Sequence, residues 1–236
     1  MNHLLHSSFM STFPNPAEQE EQVDPSVRVL QWLTDNSKVL IISAAIVITG
    51  IGGLVGWNLY SENREQEAQI LLATAESYLS MGLYEASLNG VESDFTLGFV
   101  QVQSGYSGTK AANLAAYYAS IAYYELGQTE LALQSIQSYK PVKGILGVGP
   151  IAFHAKLLEE NGSFLAAGDR YLDAATWSEN EGTTPDFMLQ AAYSYQQAGE
   201  YSEALNIVDQ LIRDYPQSLS VSQAKSLQGK LLVLNS

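Results

Sequence analysis

Histidine, glutamate and glycine are the residues of this chain whose spacing could do chemistry, and each falls short of it. The 236 residues contain three histidines, His3, His6 and His154, and no cysteine. Disulfides, thiolate metal sites and thiol nucleophiles are thereby excluded. Two of the three imidazoles lie in the first six residues, so neither a catalytic His network nor a metal ligand set assembles around His154, which reads as a packed helix residue. Glu159 with Glu160 and Glu179 with Glu181 are neighbouring acids of the kind general acid–base chemistry needs, yet their setting reads as solvated helix surface. Gly144, Gly147 and Gly149 in KGILGVGP imitate a phosphate cradle. No strand precedes them and no Lys-Ser/Thr pair follows, so they read as a flexible lead-in to a helix begun by Pro150. Asn161-Gly162-Ser163 has the form of a glycan acceptor and also the form of a helix turn. No catalytic, cofactor-binding or metal residue emerges, and the expectation is a protein that is not an enzyme, with no cofactor and no small-molecule substrate.

The positive signal is aromatic. All 14 tyrosines lie at or after position 60, and several fall on periodic apolar stretches. Tyr combines a large contact area with few rotors and a polar tip, which suits recognition of a peptide or protein. Two uses stay open for each ring: contact with a partner, or packing against the neighbouring helices.

The elements that position these rings repeat. Gly82, Gly127, Gly162 and Gly199 each follow an apolar helical run and precede another, at separations of 45, 35 and 37 residues. Glycine takes the left-handed conformation at a helix end without a Cβ penalty, so each reads as the turn of a helical hairpin. Five residues past each turn stand Ser87, Ala132, Ala167 and Ala204, small enough for two helices to lie close. Four before stand Tyr78, Tyr123, Leu158 and Tyr195; seven before stand Ala75, Ser120, Ala155 and Ala192. Pro216 closes the last unit. The extra residues of the first separation, Asn89–Gly108, are expected to hold a short helix near 96–104, with Thr109 capping the next long helix. The Phe95/Leu97/Phe99 alternation leaves a strand as the alternative there.

Together these positions resemble the tetratricopeptide repeat family, strongly in the fourth unit, clearly in the second, and in degenerate form in the first and third. No unit has the Trp of the family pattern, His154 stands where Leu is usual, and Ser87 replaces Ala. The resemblance implies an all-α domain over 61–236, a right-handed superhelix of about four helical hairpins. It also implies that the first helices line a concave face, which makes Leu114, Tyr117, Ile121 and Tyr124 of the second unit and Leu189, Tyr193 and Gln196 of the fourth the candidate partner-binding residues.

Ahead of the repeats, Val39–Trp57 runs 19 residues without a charge. At 1.5 Å per residue that is about 29 Å of helix, the thickness of a bilayer's hydrocarbon core. Trp57 and Tyr60 sit where aromatic rings favour the membrane interface, and a transmembrane helix is expected over 38–60. Gly52 and Gly56 form a G-x-x-x-G through which a second helix could approach. Arg28 and Lys38 before the span, against Arg64 after it, place the N-terminus inside and residues 61–236 outside. Residues 1–25 have the composition of an unfolded segment, and 26–36 that of a short helix, either interfacial or an extension of the span, within an N-terminal tail of 1–37. Residues 61–236 carry 9 Lys+Arg and 20 Asp+Glu, net −11, which disfavours binding to nucleic acid or anionic lipid.

Tail, span and short repeat array resemble the YfgM-type ancillary subunits of the bacterial SecYEG translocon, more closely those of Bacteroidetes-like bacteria. The run GYSGTKAANLAAYYASIAYYELG is similar to that group's second unit, and the similarity covers roughly residues 39–236. That resemblance implies a single-pass protein of the bacterial inner membrane with a periplasmic C-terminal domain. It further implies a scaffold beside the translocon in partnership with a membrane-anchored periplasmic chaperone. Competing readings are an envelope-assembly adaptor with an unrelated partner and a membrane-tethered enzyme.

Overall fold

Residues 24–235 are described by the computed structural model, and among them every regular element is helical. The unfolded reading of residues 1–25 falls almost wholly outside them, as do His3 and His6. Two compact units divide the chain between Asn58 and Leu59.

In the first unit, helix α1 spans Pro25–Asp35. Asp24 caps it by accepting from the Ser26 amide at 3.0 Å, and Pro25 sits at the first helical position, where its missing N–H costs nothing. Asn36 ends it, its Nδ2 donating to the Trp32 carbonyl at 2.8 Å, so α1 is a helix in its own right. Helix α2 then runs Ser37–Ser80, 44 residues. Every residue of Ser37–Asn58 is exposed, and α2 is long and apolar enough to cross a membrane.

In the second unit, α2 continues past the expected boundary at residue 60, because SENREQEAQILLATAESYLS contains neither Gly nor Pro to stop it. Its buried stripe here is Ala68, Leu72 and Ala75. There follow α3 (Tyr84–Asn89), α4 (Phe99–Gly105), α5 (Lys110–Glu125), α6 (Thr129–Ser138), α7 (Val148–Glu160), α8 (Phe164–Trp177), α9 (Thr184–Ala198), α10 (Tyr201–Asp214) and α11 (Val221–Leu234). From α5 onward each helix packs on the next in the chain, the arrangement of stacked helical hairpins.

The four turns have the same construction. Gly82, Gly127, Gly162 and Gly199 have φ between 71 and 85°. Each donates its amide to the carbonyl three residues back, and the next amide donates to the carbonyl of Tyr78, Tyr123, Leu158 or Tyr195, all at 2.8–3.1 Å. This pattern satisfies the orphan carbonyls of the first helix. The residue after each glycine then starts the second helix, its carbonyl accepting from the amide of Ser87, Ala132, Ala167 or Ala204 at 2.9–3.0 Å. Those four side chains, and Ala75, Ser120, Ala155 and Ala192 opposite, are all 0% exposed. A methyl or hydroxymethyl at both places lets the helices of a hairpin meet at close range. Asn161-Gly162-Ser163 is one of these turns.

The insertion differs in detail from expectation. Its helix is α4, Phe99–Gly105, after a single 3-10 turn at Glu92–Asp94. Phe99 and Val102 are 0% exposed and join Leu72, Leu88 and Ala115 in one core. There is no strand, because Phe95 takes φ 53° and is 93% exposed. Gly98 is held so close that an added Cβ would lie 2.3 Å from the Leu88 backbone. Thr109 caps α5 as expected, accepting from the Ala112 amide at 3.0 Å. Glu65 of α2 takes the two amides before that one, Lys110 at 2.6 Å and Ala111 at 3.1 Å, which anchors α5 to α2. Helix α7 begins at Val148 with Pro150 in its first turn. Helix α11 was not anticipated; Ala224, Leu227 and Leu231 bury its inner face against α9 and α10.

Candidate functional site

Tyr117 and Tyr118 lie side by side on α5, their ring centroids 5.6 Å apart, and around them opens a groove of about 1310 Å³. One wall is α4, with Val100, Gln103 and Ser104. The other is the segment joining α6 to α7, with Lys140, Val142, Ile145 and Leu146. Three tyrosines form the floor, Tyr139 lying 5.6 Å from Tyr117, and further rings back them: the buried Phe99 lies 5.7 Å from Tyr118. Phe153 stands edge-on 6.1 Å from Tyr117 and 5.6 Å from Tyr124. Offset and edge contacts of this kind hold rings in fixed positions. Burial pushes the hydroxyls of Tyr117, Tyr118 and Tyr139 above the ordinary tyrosine range, so they stay protonated at neutral pH.

The α6–α7 segment is tied down just before KGILGVGP and packed closely at Gly147. Trp177 of α8 donates its Nε1–H to the Val142 carbonyl at 2.9 Å. Gly147 fits beneath, where a Cβ would fall 2.1 Å from that same oxygen. Farther back, Asn113 of α5 clasps Lys140 with two bonds: Nδ2 donates to the Lys140 carbonyl at 2.9 Å and Oδ1 accepts from the Lys140 amide at 2.7 Å. The segment so held exposes Val142 by 45%, Ile145 by 56% and Leu146 by 78%.

Leu114 and Tyr117 of the candidate residues line the groove. Ile121 and Tyr124 lie one and two turns farther along α5, half-buried. Tyr124 donates to Glu160 at 2.8 Å and faces the Lys156 ammonium at 4.4 Å from its centroid, so it joins the second hairpin to the third. Leu189 requires a correction: at 2% exposed it is core, packed with Tyr171 and Ile207. Tyr193 and Gln196 are half-buried on α9, away from the groove. Tyr118, Tyr139 and the α6–α7 segment went unassigned. The Tyr-Tyr doublet was a visible signal for the first, whereas a segment outside the hairpin register carries none. Gly52 and Gly56 have open space where a Cβ would be.

Three of the four paired acids accept hydrogen bonds from hydroxyl groups. Glu159 accepts from Tyr171 at 3.2 Å and from Ser194 at 3.0 Å, while Glu160 turns to Tyr124; Glu159 is half-buried where a solvated face was expected. Glu179 accepts from Tyr215 at 3.2 Å. His154 is a half-buried helix residue whose pKa falls to about 4 through burial and the nearby Arg170 charge. Among the described residues no cluster of His, Asp and Glu has the form of a metal site.

The geometry of the last hairpin meets an independent finding: a sequence profile of the tetratricopeptide repeat matches residues 186–218. The match takes in α9, the Gly199 turn, α10 and Pro216. A tetratricopeptide repeat is present. The other three tetratricopeptide-like hairpins share its turn geometry and its buried small residues. A comparison with curated proteins gives no match. Tetratricopeptide hairpins are protein-interaction modules, so the chain carries a module of that class beside one helix long and apolar enough to cross a membrane.

Proposed function

We propose that this protein is a membrane-anchored scaffold whose residues 61–236, wound as a right-handed tetratricopeptide superhelix, hold another protein in the groove between α4, α5 and the α6–α7 segment. The observation that carries the reading is the pinned apolar edge of that groove over a floor of fixed tyrosines. Protein interfaces concentrate binding energy in such preorganised aromatic pockets. Residues 38–60 are the anchor, the N-terminus is cytoplasmic and the repeat domain periplasmic in the bacterial inner membrane. Gly52 and Gly56 offer a face for a neighbouring span. A tether raises the effective concentration of a second contact to about millimolar for short linkers, so a modest groove suffices. The resemblance to YfgM-type proteins directs the first search for partners to the SecYEG translocon and a membrane-anchored periplasmic chaperone.

Tyr117 and Tyr124 also support packing, so truncating them confounds binding with folding. A photocrosslinking residue placed at Leu146 or Ser104, both exposed, avoids this, with exposed Gln210 of α10 as control. Crosslinks from Leu146 and Ser104 to the same membrane or periplasmic protein, and none from Gln210, are expected. Identical products from all three sites, or none from the groove, sink the reading. Recovery of translocon subunits from the groove sites alone would support the narrower assignment.

A further inference from the structure

The groove differs from the rest of the domain in charge. Residues 61–236 carry 20 Asp+Glu against 9 Lys+Arg, yet no carboxylate lines the groove, while Lys110 and Lys140 both do. Both lysines are exposed, and neither takes part in an ion pair among the described residues, the three pairs being Lys156–Glu160, Arg170–Asp173 and Arg213–Asp214. Two acids of α2 meet α5 behind the groove wall, and neither is among its lining residues. Glu65 accepts the Lys110 and Ala111 amides, and burial holds the Glu76 carboxyl above the ordinary range. The Lys140 backbone is fixed at the groove edge by the Asn113 clasp, and Gln103 and Asn113 also line the groove.

Resting on the groove reading above, we propose that the groove takes an extended acidic segment of the partner, carboxylates toward Lys110 and Lys140 and apolar side chains against Tyr117, Tyr118 and Leu146. The groove is open and exceeds the 300–1,000 Å³ usual for a small-molecule pocket, which fits a stretch of polypeptide. Complementary charge selects among partners more than it adds affinity. Here it works against the field of the whole domain, whose net −11 favours basic segments everywhere else.

The test uses the full chain in mild detergent and three labelled peptides of roughly 12 residues, alternating Leu with Glu, with Gln or with Lys, read by fluorescence anisotropy. The Glu peptide is expected to bind about tenfold more tightly than its Gln twin. Lys110→Glu with Lys140→Glu, both exposed and checked for unchanged helical content, is expected to abolish that preference. Binding of the Gln or Lys peptide as tight as that of the Glu peptide, no binding by any, or a Glu preference that survives the double substitution, each overturns the proposal. Groove crosslinks persisting alongside any of those results would leave the scaffold reading standing and remove only its charge selectivity.

Discussion

Tyrosine hydroxyls, more than ion pairs, hold the acids of this domain. The described ion pairs each join residues at most four apart, whereas Tyr124 reaches Glu160 across 36 residues and Tyr215 reaches Glu179 across 36. A chain with few cations can satisfy carboxylates between hairpins only with neutral donors, and a hydrogen bond to a charged acceptor is the stronger kind. Tyr124→Phe should therefore lower the midpoint of thermal unfolding by about 2–4 °C, corresponding to ~1 kcal/mol in a domain of this size. Circular dichroism melting of the detergent-solubilised chain measures it. His154 supplies a pH dependence. Its folded pKa of about 4 lies below the ordinary 6.5, so as pH falls through that window the unfolded chain binds a proton that the folded chain refuses. Stability falls between pH 6.5 and 4 and this contribution levels off below. The part due to His154 should be about 2 kcal/mol, less than the full shift implies because the ring is partly exposed. It is read as the difference between wild type and His154→Gln melted across that range; parallel curves would contradict it.

At the scale of the element, the hairpin register and the insertion make separate predictions. Ala132 and Ala204 are 0% exposed where two helices meet, so Leu at either should overpack by about 1–3 kcal/mol. Urea unfolding of the two variants decides it, and losses below ~0.5 kcal/mol at both, the size of a surface change, would contradict the register. In the insertion, Gly98→Ala drives a methyl into the Leu88 backbone, which α3 and α4 can relieve only by moving apart. The expected result is a loss larger than at Gly127, where only the φ of 71° resists a side chain and nothing stands within 4 Å. Hydrogen exchange should show the α3–α4 amides released in Gly98→Ala and those of α9 and α10 unchanged.

For the whole molecule, the proposed membrane anchor raises the question of which side of a membrane the repeats occupy. Single cysteines at Ser104 and Ser11, in a chain that has no cysteine of its own, answer it directly. A membrane-impermeant thiol reagent on intact cells should label Ser104→Cys once the outer barrier is opened and should leave Ser11→Cys unlabelled. The opposite result reverses the orientation.

The hairpins were legible in the sequence because their signals are local: a glycine needed for a left-handed turn, small residues at fixed offsets from it, and Thr109 and Pro216 at helix ends. Each of these acts within a few residues, so spacing alone reveals it. The apolar run of α2 was legible for the same reason, since its length and lack of charge are properties of consecutive residues. The helix runs on beyond residue 60 because composition changes there while helix propensity does not. Three things were decided only by tertiary structure. Leu189 has the type and spacing of a groove residue, but the helices packed around it bury it in the core. The approach to KGILGVGP is held by Trp177, 35 residues beyond Val142, which donates to the Val142 carbonyl. The groove has no carboxylate in its lining because of which residues α4, α5 and the α6–α7 segment bring together there, and no periodicity encodes that meeting. Local turns and caps follow from short-range sterics, whereas the surface that meets a partner is set by contacts between residues far apart in the chain.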